Sequence, residues 1–140
     1  ACESMEDMVN CYFDRIDFCL ANNFPDNDFF EEHSEELKPF GIYHNAIAKI
    51  SSARRLVVLG DSDIDINVER WDFSRIYVKG NSKVNITAGF SSIVMVDALD
   101  SAEITVNKST SARVKVFLYD KAKCTGKAEI THTNKKTYDL

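Results

Sequence analysis

Glycine and proline are scarce in this chain, at five and two of 140 residues. Five glycines are too few for calcium-binding nonapeptide repeats, which need Gly-Gly-x-Gly-x-Asp in every unit. Neither Gly-x-Gly-x-x-Gly nor a Walker loop is present, so no backbone cradle for phosphate is indicated. No apolar run approaches the ~18–20 residues of a membrane-spanning helix. No basic segment followed by an apolar stretch marks a secretory leader. The four cysteines (Cys2, Cys11, Cys19, Cys124) contain no pair at the C-x₂₋₄-C spacing of zinc sites. Cys11 and Cys19 share one face of a helical pattern, and Cys124 takes an inward strand position. A reduced thiol packs as a small hydrophobe, so core thiols and a cytoplasmic location are expected, with virion or cell surface as alternatives. His33, His44 and His132 share no ligand spacing, and neither a metal nor a cofactor is expected.

What the chain does have is a rhythm. From Ser62 to Ile130 it repeats small–x–branched–x–branched: Ser62-Asp-Ile-Asp-Ile66, Ser74-Arg-Ile-Tyr-Val78, Ser82-Lys-Val-Asn-Ile86, Ser92-Ile-Val-Met-Val96, Ala102-Glu-Ile-Thr-Val106 and Ala112-Arg-Val-Lys-Val116. Shorter units begin at Ala122 and Ala128. Alternate units place their first large apolar residue at 64, 84, 104 and 124, and at 76, 94, 114 and 130. Side chains alternate faces along a strand, so the small and branched residues form one inward set. The pattern predicts a mostly β fold: a two-sheet parallel β-helix of about four coils of ~20 residues. One corner would stack Ser62, Ser82, Ala102 and Ala122; the other would stack Ser74, Ser92, Ala112 and Ala128. Outside the first sheet, Asp63, Lys83, Glu103 and Lys123 alternate in sign and support the 20-residue register. Gly60 and Gly80 read as turn glycines.

Upstream the pattern is helical. Met5, Met8, Val9, Tyr12, Phe13, Ile16, Cys19 and Leu20 recur at spacings of three and four, predicting a helix over 4–22 with Ser4 as its cap. A second helix is expected from about Asp26 to Leu37, stopped by Pro39 and Gly41. A lead-in strand over 42–50 and another over 54–59 join this region to the repeat. The organisation is therefore a helical cap, 1–41, on a β-helix, 42–140, as one compact unit. Open solenoid ends expose unpaired strand edges. The helices would shield the first coil or one sheet face, and Thr137–Leu140 or self-association the far end. Residues 1–40 carry 11 acidic and 2 basic side chains, against 11 and 15 in the remainder. That split fits attraction between the two parts, or an acidic surface offered to a basic partner.

The second sheet presents a different exterior. Tyr77, Ile93 and Met95 form an apolar patch, joined by Trp71, Phe73 and Phe90 from nearby turns. Contiguous exposed apolar surface marks contact sites, so these six residues are the candidate binding site unless the helices lie on them. Lys121, Lys123, Lys127, Lys135 and Lys136 lack the interleaved aromatics of single-strand binding sites, which disfavours nucleic acid as a partner.

Val57-Val-Leu-Gly-Asp-Ser62 resembles the strand–Gly-Asp-Ser block of the GDSL (SGNH) hydrolases, and Glu129-Ile-Thr-His132 resembles that family's Asp-x-x-His block. The resemblance implies an esterase with Ser62 as nucleophile and His132 as base. Against it, Ser62 heads the corner column and should point inward, whereas a nucleophile needs an accessible hydroxyl beside a base. The Ser-x-Val-x-Ile rhythm is similar to that of head-GIN adhesin domains. Phe18-Cys-Leu-Ala-Asn-Asn-Phe-Pro25, Gly41-Ile-Tyr43, Ile76-Tyr-Val-Lys-Gly-Asn-Ser82 and Asn134-Lys-Lys-Thr-Tyr-Asp-Leu140 resemble a group of small β-helix proteins of gut bacteria and their prophages. That group supplies no activity or site residues; it implies a phage or mobile-element origin.

The expected function is a non-catalytic binding or structural protein. Its partner would be a protein or further copies in a homo-oligomer, with no membrane span. Alternatives are an inhibitor whose acidic helices (Glu31, Glu32, Glu35, Glu36) occupy a basic groove on a nucleic-acid enzyme, and a carbohydrate-binding module using Trp71, Phe73 and Tyr77.

Overall fold

The computed structural model describes residues 4–132. The proposed Thr137–Leu140 cover, Cys2 and the basic tail residues Lys135 and Lys136 lie outside them. Eleven strands alternate between two parallel sheets, winding a solenoid of about four turns. One sheet holds β1 (Ile42–His44), β3 (Arg55–Leu59), β5 (Phe73–Val78), β7 (Ile93–Ala98), β9 (Arg113–Leu118) and β11 (Glu129–His132), in that order. The other runs β2 (Ile47–Ser51), β4 (Asp63–Val68), β6 (Lys83–Ala88), β8 (Glu103–Lys108) and β10 (Lys123–Gly126). The two are named here the odd and the even sheet. Between them Leu56, Ile64, Ile66, Ile76, Val84, Ile86, Val96, Ile104 and Val116 are fully buried, the branched residues meeting across the interior.

The even sheet keeps the register expected from sequence. Asp63 stands beside Lys83, Lys83 beside Glu103, and Glu103 beside Lys123. Its corner column is also as expected: Ser62, Ser82, Ala102 and Ala122 are all buried. The odd sheet corrects the reading. Ser74 aligns with Val94 and then Val114, and Ile76 with Val96, Val116 and Ile130. Of the column Ser74–Ser92–Ala112–Ala128 only Ser92 and Ala112 stay in step, and the irregular steps of 18 and 16 become 20 and 14. Twenty residues per coil keep the ladder hydrogen bonds continuous, and that outweighs matching serine to serine. Ser74 is tolerated in the core because its hydroxyl donates to the Ala53 carbonyl.

A second column runs along the turns into the even sheet. Gly60, Gly80, Asp100 and Asp120 recur at 20-residue steps with φ of 69°, 78°, 55° and 54°. Glycine and aspartate are among the residues that tolerate this left-handed region. The Asp100 carboxylate accepts the Gly80 N–H, and that of Asp120 accepts the Asp100 N–H, so the column is also a hydrogen-bond ladder.

Each expected helix is divided. The first becomes α1 (Met5–Asp14) and α2 (Ile16–Ala21), broken at Arg15; the second becomes α3 (Asn27–Glu32) and α4 (Ser34–Leu37), broken at His33. A 3₁₀ turn, Lys38–Phe40, ends in Gly41 at φ 85°. Ser4 and Asp26 cap α1 and α3 by accepting the N–H of Asp7 and Phe29. The lead-in strand is likewise divided, into β1 and β2, by a corner at Asn45.

The helices lie on the outer face of the odd sheet. Val9, Tyr12, Ile16, Cys19, Leu20, Phe30 and Leu37 pack with Val57, Leu59, Tyr77, Leu99 and Tyr119 in a second core. This explains the burial rhythm. Strands β4 and β6 alternate strictly between exposed and buried, whereas β5 and β7 are buried on both faces along their C-terminal halves. Cys19 joins this core, but Cys11 is exposed, because the break at Arg15 separates their faces; Cys124 is half-buried. No described helix is long and apolar enough to cross a membrane.

Candidate binding surfaces

The helices divide the six-residue patch in two. They cover the C-terminal ends of the odd strands, so Tyr77 is 8% exposed and belongs to the second core. The N-terminal ends stay open: Trp71, Phe73, Phe90 and Ile93 are 70%, 43%, 53% and 46% exposed, and Met95 is half-buried between the two zones. The remaining site is thus a ridge along one edge of the odd sheet. Phe73 stands beside Ile93, and Ile93 beside Arg113. Trp71 and Phe90, on successive turns, meet edge to face at 5.5 Å, and the Trp71 N–H donates to the Phe90 carbonyl. Trp71 sits at φ 68°, a conformation costly for a bulky side chain.

Tyr77 serves a different end. The Arg75 guanidinium lies 4.7 Å from its ring centroid and pairs with Asp97, which is 2% exposed. Burial pushes the Asp97 carboxyl above the usual range, and Arg75 pulls it back only in part. Without Tyr77, and with the Trp71 and Phe90 rings crossed, the ridge presents no row of parallel aromatic faces for a sugar.

Where the solenoid meets α2, a cleft of about 200 Å³ is lined by Tyr12, Asn23, Asn27, Lys79, Gly80 and Asp100 among others. The Lys79 amine donates to the Leu20 carbonyl near the end of α2, an orphan acceptor of the last helical turn. Burial holds this amine below its usual pKa, with Asp100 and Asp120 opposing. Lys79 fastens helix to solenoid, a contact that charge counting alone would not locate.

Ser62 is 3% exposed. Its hydroxyl donates to the Leu59 carbonyl and accepts the Ala46 N–H, while its own N–H donates to the Ser82 hydroxyl. His132 ends β11 on the last coil, in the other sheet from β4. The structure does not bring Ser62 and His132 together. His33 lies between α3 and α4, and His44 is buried with its ring stacked on Phe30 at 5.6 Å. Among the described residues no three His, Cys, Asp or Glu side chains converge as a metal site.

One surface had no clear sequence signal. Beside α1 and α2, Met8, Cys11, Phe18, Phe24, Pro25 and Phe29 line half of an open, largely apolar trough of about 680 Å³, with Tyr12, Arg15, Cys19, Asn22, Asn23 and Asp26 making up the rest. Phe18 and Phe24 are 58% and 60% exposed. Phe18 follows the break at Arg15 and Phe24 lies in the connection between α2 and α3, so neither shares the buried face of α1.

Comparison of the chain with protein-family models, with curated proteins and with solved structures finds no match in any of the three.

Proposed function

We propose that this protein is a non-catalytic binding and assembly module that associates with further copies of itself through the Trp71–Phe73–Phe90–Ile93 ridge. The observation that carries the reading is the ridge itself: four large apolar side chains held exposed on a rigid sheet edge. Its surroundings favour a second copy. Arg113 flanks Ile93 at one end, and Glu69, Arg70 and Asp72, net acidic by one charge, lie beside Trp71 at the other, all exposed. A twofold contact would set the basic end of one ridge against the acidic end of the other. The solenoid itself supports assembly as the role, since its faces present fixed rows of side chains.

Light scattering on a dilution series tests this. The wild type should form one discrete oligomer, and Ile93→Asp, a change at an exposed position, should leave a folded monomer. A wild type that stays monomeric into the high micromolar range removes the self-association reading. A stoichiometric protein captured by the wild type and lost with Ile93→Asp would keep the ridge and change its occupant.

A further inference from the structure

The trough on the helical cap is a second surface, independent of the ridge. Its floor is apolar, from Met8, Phe18, Phe24 and Phe29. Its surroundings are acidic: Asp26 lines the trough, Asp7 stands four residues before Cys11 within α1, Asp14 adjoins Arg15, and Asp17 and Asp28 adjoin Phe18 and Phe29 in sequence. All five carboxylates are exposed. Arg15 is the one basic side chain on the trough wall. Acidic residues around an exposed aromatic floor are costly to maintain unless the floor is used, because water must be ordered over Phe18 and Phe24 in the free protein.

We infer that this trough binds a cationic amphipathic helix of a partner protein. Three observations select that occupant. The trough is open to solvent, whereas sites for small molecules enclose most of the ligand surface. An apolar floor takes the apolar stripe of a helix in the helix-in-groove mode. The acidic surroundings then meet lysines or arginines on the edges of that stripe, raising the association rate and rejecting anionic helices. A nucleic acid is disfavoured by the sign of the charge.

The test uses a fluorescently labelled helical peptide of leucine and lysine, with leucine at three- and four-residue spacing, titrated with the full chain. Saturable binding should weaken with added salt. It should fall about tenfold or more, ~1.4 kcal/mol, for the double variant Phe18→Ser/Phe24→Ser. Both side chains are more than half exposed, so that variant should keep its melting temperature within a few degrees. A peptide of the same composition but shuffled to destroy the stripe should bind at least about tenfold more weakly. Ile93→Asp, on the ridge, should bind the peptide as the wild type does, which separates this inference from the assembly reading. Equal affinity for the shuffled peptide, or for the double variant, would overturn the proposal by reducing the interaction to charge alone. It would equally be overturned if the double variant abolished dimerisation of the chain, or adsorption to zwitterionic vesicles, since the trough would then serve a second copy or a lipid surface.

Discussion

Arg75 on β5 reaches diagonally across the odd sheet to Asp97 on β7, and the pair is closed over by the helices, with Asp97 2% exposed. One guanidinium nitrogen, Nη1, is buried without a hydrogen-bond partner among the described residues. The pair therefore ties two successive coils together. Asp97→Asn keeps the shape but leaves the guanidinium uncompensated. Loss of one partner from a buried pair costs about 3–5 kcal/mol. The Arg75 side chain retains 20% exposure, so about 2–3 kcal/mol is expected after discounting for water. Urea unfolding should show it, and Arg75→Met/Asp97→Leu should recover part of the loss. A single variant as stable as the wild type would show that the pair adds nothing.

Ser62 is a structural hydroxyl that serves two backbone groups. Ser62→Ala leaves the Ala46 N–H without its acceptor, while the Leu59 carbonyl keeps the Asn45 N–H. An unsatisfied buried group costs about 1–3 kcal/mol, so the variant should unfold at lower denaturant. Ala102→Ser, two coil-steps along the same column, tests whether a hydroxyl is needed there; a loss of similar size would mean that the interior at 102 is too tight. An ester-hydrolysis assay should read the same background for wild type and Ser62→Ala. Turnover lost with Ser62→Ala in a folded protein would overturn this account.

The coil was legible because two signals repeat together: the period-two alternation and the 20-residue recurrence of Ser62, Ser82, Ala102 and Ala122 with their outward charges. The odd sheet was harder. Ser74 and Ser92 look equivalent by residue type, but backbone pairing counts positions, and Val94 rather than Ser92 completes the ladder with Ser74. The helical breaks at Arg15 and His33 leave no local sign, since neither residue is a breaker. The division of the site left none either. Tyr77 and Ile93 are both outward in sequence, and only the tertiary position of α1 and α2 decides that one is covered and the other open.

His44 links stability to pH. It is buried, with Nδ1 unpartnered among the described residues and its ring stacked on Phe30. Burial lowers its pKa, with Glu31 opposing. The unfolded chain therefore binds a proton, near its ordinary pKa of ~6.5, more readily than the folded one. Stability from this group is full above that value and is lost as pH falls toward the folded pKa, by at most ~1.4 kcal/mol per pH unit. Unfolding free energy should decline from about pH 7.5 to about pH 5.5 for the wild type. His44→Phe, which keeps a ring against Phe30, should flatten that slope. An unchanged slope would assign the dependence to other groups.

Trp71 gives the sharpest separation of folding from function. At φ 68° and 70% exposed, it sits in a strained conformation while burying little of its ring. A residue chosen for stability at this turn would be glycine or asparagine. Replacement by glycine releases strain of order 1 kcal/mol or more. It forfeits the edge-to-face contact with Phe90, about 0.5–1.5 kcal/mol. The two nearly cancel, so Trp71→Gly should melt within about 3 °C of the wild type, a shift worth roughly 1 kcal/mol for a chain of this size. Self-association should nonetheless weaken by about tenfold or more, because exposed aromatic anchors dominate contact energies. Sedimentation equilibrium and a thermal melt on the same samples give both readings. A variant that unfolds readily would make Trp71 part of the fold. One that is as stable and as associated as the wild type would remove it from the ridge.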